Sequence, residues 1–474
     1  MTVQRVGARL AGVLNVPDSH NPVNFTVWKK RRVVAAGIFS IVNSGLGSSL
    51  PSGATGSIME HFSVKNSTLS VLLNSIYLLG FAVGPLIFGP LSEHVGRRPV
   101  LIGTYLGYTL FTIGCALSPS FEALLVFRLL CGIAAGAPNA VIGPLYADIY
   151  DDAPTRGRAM AYFMCATSMT PPLGPIISGY ASEVSWRLSF WIGFGIAVVG
   201  LPVMLLLPET YVPVIKRHLA GSEDSTTHHV TSKSELLAEL KVIFSRPFVM
   251  MYQEPVVLFT SLYLAMIYST LYLFFQAYPI IFQVENHGRN EQGPNIPLVS
   301  AGSVAALGVF LWYSSYHARA LDTGATWAVS DEYRRLPPAC IGGPMVVASL
   351  FWLGWTSYPS VHPAIPSLSG LLFGTGYLVI FISMLTYLGD AYKQFSASAQ
   401  AAASTTRSVT AVCLPLAASP MYGTLGIQWA CSLLAFVTMV LAIIPFVFIR
   451  FGPSIRKKSP FCQQVLELTS STRP

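Results

Sequence analysis

The sequence predicts an all-α membrane protein of twelve transmembrane helices in two six-helix halves. Three observations predict it: too little charge for a soluble globule, apolar stretches of spanning length along the whole chain, and Lys and Arg concentrated on one side. Of 474 residues, 52% are hydrophobic and 11% charged, against about 25% charged in ordinary soluble domains. Mean hydropathy is +0.55. A hydrocarbon core about 30 Å thick takes about 17 to 25 apolar residues to cross as a helix.

The first such stretch, 33–55, follows the basic run Lys29, Lys30, Arg31 and Arg32 and is too long for a signal-peptide core, so it reads as a span. The stretches 71–91, 100–118, 122–146, 159–181 and 188–208 complete a first set of six. A polar connection over 209–248, containing Gly221, Ser222, Glu223, Asp224 and the pair His228 and His229, precedes the second set. That set runs over 250–276, 297–313, 339–357, 366–389, 400–422 and 429–450, and its second member is the shortest of all. Lipid offers the backbone no partners, so helices are expected. The 39 Gly and 33 Pro suit such a bundle, in which small residues such as Gly132, Gly136 and Gly143 let helices approach. The division is therefore a tail 1–32, a half 33–208, a linker 209–248, a half 249–450 and a tail 451–474.

Charge placement supports an even count. With the N-terminus in the cytosol, only Lys65, Arg187 and Arg289 fall outside, and Arg128 and Arg407 fall within spans. Every other Lys and Arg lies on the cytosolic side, as the positive-inside rule expects with both termini cytosolic. The net charge of +8 thus reflects topology rather than a nucleic-acid footprint. The sequon Asn66-Ser67-Thr68 falls in the first outside loop and makes Asn66 a glycosylation candidate. The seven Cys are scattered singly, without the spacing of a disulfide or metal framework. The nine His fall in loops or tails on these spans, which leaves no cluster for intramembrane hydrolysis or acyl transfer.

Between spans two and three stands Gly89-Pro90-Leu91-Ser92-Glu93-His94-Val95-Gly96-Arg97-Arg98-Pro99. Gly89 permits close helix contact and Gly96 a tight turn. Glu93 supplies a charge able to pair with Arg or face a helix N-terminus. The stretch resembles the loop signature of the major facilitator superfamily, Gly-x-Leu-x-acid-x-x-Gly-Arg-Arg, with Glu93 where many members have Asp. The resemblance implies a gate formed by Gly89, Glu93, Gly96, Arg97 and Arg98. In span four, Arg128-Leu129-Leu130-Cys131-Gly132 resembles the family's Arg-x-x-x-Gly motif. A buried Arg in a span is a functional candidate by default, and the resemblance links Arg128 to proton coupling. In span five, Thr170-Pro171-Pro172-Leu173-Gly174-Pro175-Ile176-Ile177-Ser178-Gly179 is similar to the Gly- and Pro-rich motif of antiporters. Pro171, Gly174, Pro175 and Gly179 carry that likeness, while Thr170 and Ser178 stand where Gly is expected.

Further pieces, in order, resemble the fungal twelve-span drug:proton antiporters: Asn21 to Asn24 with Trp28; Trp186-Arg187 with Phe190-Trp191; Pro208-Glu209-Thr210-Tyr211; Arg246-Pro247-Phe248 with Glu254-Pro255; Glu332-Tyr333-Arg334; and Asp390-Ala391-Tyr392 with Arg407-Ser408. Glu254, at the start of span seven, and Asp390, at the end of span ten, are candidate proton-coupling or gate acids. A substrate cavity is expected near the bilayer midplane between the halves, with Asn43, Asn74, Tyr77, Tyr268, Tyr272 and Gln276 as candidates. Aromatic walls with few polar groups suit amphipathic organic molecules.

The resemblance thus implies a monomeric plasma-membrane exporter of small amphipathic compounds (a drug, toxin or secondary metabolite), driven by protons and working without cofactor, metal or nucleic acid. The sequence contains no Gly-x-x-x-x-Gly-Lys-[Ser/Thr] loop for nucleotide. Proton-coupled uptake of a nutrient or polyamine through the same fold, and a nutrient sensor on a transporter scaffold, are the alternatives.

Overall fold

The structure, a computed structural model, describes residues 21–64, 67–220, 245–283, 295–358, 361–362, 364–392 and 396–463, and no strand occurs among them. Twelve long helices carry the chain: α1 Val27–Ser49, α2 Ser67–Val95, α3 Arg97–Ala116, α4 Phe121–Ile149, α5 Ala153–Ser182, α6 Trp186–Leu205, α7 Pro255–Gln283, α8 Asn295–Asp322, α9 Pro337–Thr356, α10 Ala364–Tyr392, α11 Ser396–Leu416 and α12 Ala418–Leu441. Gly426, at φ 72°, interrupts α12, and Ile444–Lys458 extends that crossing. Side-chain oxygens start several helices by taking a free N–H of the first turn: Thr26 for α1, Ser120 for α4, Asp152 for α5 and Ser185 for α6.

The packing within the first six helices recurs six places later. α2 packs on α4, α3 on α4, α1 on α5 and α3 on α6; α8 packs on α10, α9 on α10, α7 on α11 and α9 on α12. The seam between halves joins α2 to α11 and α5 to α8, and adding six to one pair returns the other. That is the signature of two halves related by a twofold axis. The closest crossing is also repeated. A Cβ on Gly132 would lie 2.1 Å from the carbonyl of Tyr77, and one on Gly374 2.1 Å from the carbonyl of Val299.

Ten crossings among the described residues are long and apolar enough for a membrane. α5 and α11 are not among them. Both lie on the seam, and their polar side chains, Ser168, Thr170 and Ser178 of α5 and Ser404, Arg407 and Ser408 of α11, are buried against protein. Polar residues that face the bundle interior need not be apolar to cross. Large apolar side chains such as Leu110, Val199 and Val440 instead lie exposed on the outer surface.

Two expectations are corrected. The eighth crossing is not short: α8 continues to Asp322, with its basic end beyond the hydrophobic stretch. In consequence His317 lies inside a helix, buried against Trp327, and His94 lies in the last turn of α2; the histidines are not confined to loops.

Candidate functional site

Both termini of the described bundle, the Gly89–Pro99 stretch and the start of the linker lie at one end, called here the linker end. Gly96 turns the chain from α2 into α3 at φ 114°, a backbone state that L side chains rarely adopt. A Cβ there would sit 2.5 Å from Oε2 of Glu209. Glu209 accepts the N–H groups of Arg97 (3.0 Å) and Arg98 (3.1 Å), the first turn of α3, where a carboxylate meets the positive end of the helix dipole. The same carboxylate takes the N–H groups of Thr210 and Tyr211. Arg97 is buried. Its Nε meets Asp148 at the end of α4 at 3.5 Å, its Nη1 donates to Ser92 Oγ at 2.6 Å, and its guanidinium lies 4.9 Å over the Tyr211 ring. Arg98 is exposed, and Gly89 packs towards Ala140 of α4. Glu93 is half-buried and makes no hydrogen bond or ion pair among the described residues. The charges that hold this turn are Asp148 and Glu209.

The second half repeats the pattern. Arg335, just before α9, bonds Asp390 at the end of α10 at 2.7 Å. A Cβ on Gly157, at the start of α5, would lie 3.4 Å from Arg335 Nη1, so this pair stands beside the first half. Glu332 meets Arg456 and Ser330. Glu254 is wholly buried, accepting the Tyr392 hydroxyl at 2.9 Å and the Phe461 N–H at 3.3 Å. Arg97–Asp148 and Arg335–Asp390 therefore join corresponding helix ends in the two halves.

At the other level of the bundle, two motifs converge on the broken end of α1. Arg128 is 2% exposed, so it does not snorkel to an interface. It donates to the carbonyls of Leu73 (3.0 Å), Gly47 (2.6 Å) and Ser48 (3.3 Å). Gly47 needs such a donor, because the residue four places on is Pro51, which has no N–H. A cation is also favoured at a helix C-terminus. The guanidinium lies 4.5 Å over the Tyr77 ring, whose hydroxyl donates to the Ser44 carbonyl. From the opposite side comes α5. Pro175 leaves the carbonyl of Pro171 without its helical donor, and Ser49 Oγ of α1 supplies one at 2.5 Å. Gly174 makes room, since a Cβ there would fall 2.2 Å from that hydroxyl. Ser178 Oγ accepts the Gly53 N–H, and a Cβ on Gly53 would come 2.6 Å from the amide nitrogen of Gly179. Thr170 and Ser178, the two departures from the motif, thus face Gly45 and Gly53 of the α1 end.

Of the cavity candidates, Asn43 donates to Tyr105, Asn74 to Ser52, and Tyr77 to Ser44, all within the first half. Tyr268 and Tyr272 lie on the seam: the Tyr272 hydroxyl is 2.7 Å from Ser48 Oγ of α1 and receives the Tyr268 hydroxyl at 3.3 Å. The side chain of Gln276, and Asn66, lie outside the described residues. Sequence reasoning gave no site role to Glu209, Asn139 or Arg407. Arg407 of α11 donates to Asn139 Oδ1 of α4 at 3.3 Å and lies over the rings of Tyr268 (5.3 Å) and Phe381 (5.6 Å). Two signals marked it: its position inside a span and its place in the Arg407-Ser408 piece that resembles the fungal antiporters.

Comparison with known proteins places this arrangement. The Major Facilitator Superfamily profile matches residues 37–412. The chain is 36% identical over 448 residues to the MFS-type transporter traF of Penicillium crustosum, covering 94% of this chain and 92% of the relative. It is 33% identical to the efflux pump FUB11 of Gibberella moniliformis, covering 96% of this chain and 78% of that protein. Among solved structures, the proton:xylose symporter XylE superposes with a TM-score of 0.65 at 14% identity, over 90% of this chain and 97% of its own, a likeness of fold. Sequence, packing and relatives agree: this chain is an integral membrane transporter and belongs to the major facilitator superfamily.

Proposed function

We propose that the chain exports small amphipathic organic compounds in exchange for protons, by alternating access, with the linker end in the cytosol of a plasma-membrane monomer. The observation that carries this reading is the pair of matching ion pairs, Arg97–Asp148 and Arg335–Asp390, at one end of both halves. Each pair fixes a helix end within its own half, with Arg335 lying beside Gly157 of the other, and we assign to them a closed linker end that loosens when the acid takes a proton. Glu254 and Asp390 are the acids assigned to load and release it. Arg128 is assigned to coupling through the α1 end that it grips. Each proton moving down the membrane potential supplies about 2.3 kcal/mol per 100 mV. The relative named an efflux pump and the Pro- and Gly-rich stretch of α5 support the outward direction.

The test is accumulation of amphipathic dyes in cells lacking their own pumps, with and without a protonophore, and with Arg128→Ala at equal expression. Export predicts lower accumulation that disappears with the protonophore and with the variant. Higher accumulation in cells carrying the protein would overturn export in favour of uptake.

A further inference from the structure

Every Asp and Glu of the twelve helices lies in a first or last turn, whereas two Arg, Arg128 and Arg407, lie deep in their helices, farther from either end than any other Arg. Arg128 spends its donors on backbone carbonyls. Arg407 does not. It is 4% exposed, halfway along α11, and its Nη2 reaches Asn139 Oδ1 at 3.3 Å and Ser404 Oγ at 3.4 Å. Its Nε is buried without an acceptor, and so is Nδ2 of Asn139, the same amide that faces it from the other half. Tyr268 and Phe381 present ring faces to the guanidinium, and Tyr377 stacks on Phe381 at 4.6 Å. These rings compensate part of the charge, but among the described residues no carboxylate pairs with it. Arginine stays protonated in proteins, so the charge is not shed by deprotonation, and a buried unpaired charge is costly.

We infer that Arg407 and Asn139 form an anion subsite and that the transported class includes organic anions: a carboxylate on an apolar, preferably aromatic, body. One carboxylate oxygen would take Nε–H of Arg407 and the other Nδ2–H of Asn139, while the body lies against Tyr268, Tyr377 and Phe381. Because Arg407 belongs to α11 and Asn139 to α4, such a ligand bridges the seam, and its presence bears on how the halves sit. This rests on the transport reading above and specifies its substrate.

The test is binding to the purified full chain in detergent, read by quenching of intrinsic fluorescence. The probes are 2-naphthoate, biphenyl-4-carboxylate and pyrene-1-carboxylate, each set against its primary amide. Charge-assisted hydrogen bonds predict a preference for at least one carboxylate over its amide of about tenfold or more. Arg407→Gln should abolish that preference while leaving amide binding in place, which also reports that the variant is folded. Should Arg407→Gln not fold, Asn139→Ala decides: the preference must fall by about threefold or more, for one lost hydrogen bond. No preference in any pair, or a preference untouched by Asn139→Ala and, where it folds, by Arg407→Gln, would overturn the subsite. Transport of the same probes into proteoliposomes separates the two readings. Carboxylate-selective binding without proton-linked movement sinks the exporter and keeps the subsite; proton-linked movement of the amides alone does the reverse.

Discussion

Replacing Ser49 by Ala deletes one hydroxyl, and the consequence follows from a proline in a different helix. The Pro171 carbonyl lost its helical donor to Pro175, and Ser49 Oγ fills the gap at 2.5 Å from a fully buried position. Without that hydroxyl, the carbonyl faces neither water nor an N–H. A buried acceptor left unmade costs about 1–3 kcal/mol. If each six-helix half unfolds as a unit, that is a fall in Tm of about 2–12 °C. Pro175→Ala returns the missing N–H to α5, so the same Ser49→Ala change made in that background should cost close to nothing. The coupling between the two substitutions is therefore about as large as the single effect, which is how directly interacting sites behave. The assay is thermal unfolding of the four proteins in one detergent, followed by the surviving monodisperse fraction on size exclusion. Equal losses with and without Pro175 would refute the account, because the hydroxyl would then matter for something other than the orphaned carbonyl.

Asp148→Asn leaves the buried Arg97 without its anion and should destabilise by about 3 kcal/mol, whereas Glu93→Gln, at an acid with no partner among the described residues, should stay within about 0.5 kcal/mol; the same unfolding assay ranks them, and the reverse order would restore Glu93 as the partner of the turn. Gly96→Ala combines a φ of 114° with a Cβ 2.5 Å from Glu209, which should cost about 1–3 kcal/mol from backbone strain alone. In a Glu209→Ala background, where the clash is gone and the four N–H contacts are lost from both proteins, Gly96→Ala should still lower Tm; no further loss there would show that strain is not the cause.

How much of this was legible depended on whether a residue's partner lay nearby in sequence. The crossings were readable because hydropathy and helix length are local properties, and α5 and α11 were found despite their polarity because loops and charges framed them. The end of α8 was not, since its last turns carry His317 and Arg319 and resemble a loop by composition. The Gly96 turn was readable as a turn. That Glu209, more than 100 residues on, caps the helix it opens was not, because only the return of α6 to the same end brings the two together. The α5 motif announced a bent helix, but its clamp on α1 required knowing that Ser49 faces Pro171. Arg128 and Arg407 look alike in sequence as lone cations in spans. Their difference lies wholly in surroundings: carbonyls for one, rings and an amide for the other.

The two least apolar crossings, α5 and α11, are both among the four helices of the seam, α5 meeting α8 and α11 meeting α2. Segments so polar gain little from entering lipid alone, and their place is defined by protein neighbours. Those neighbours, α1 for α5 and α7 for α11, come earlier in the chain. During synthesis the receiving surface is thus in the membrane before its guest arrives, in both halves alike. The order of the helices along the chain is an assembly schedule, and the surfaces on which the two halves later slide are the last of each half's inner helices to find cover.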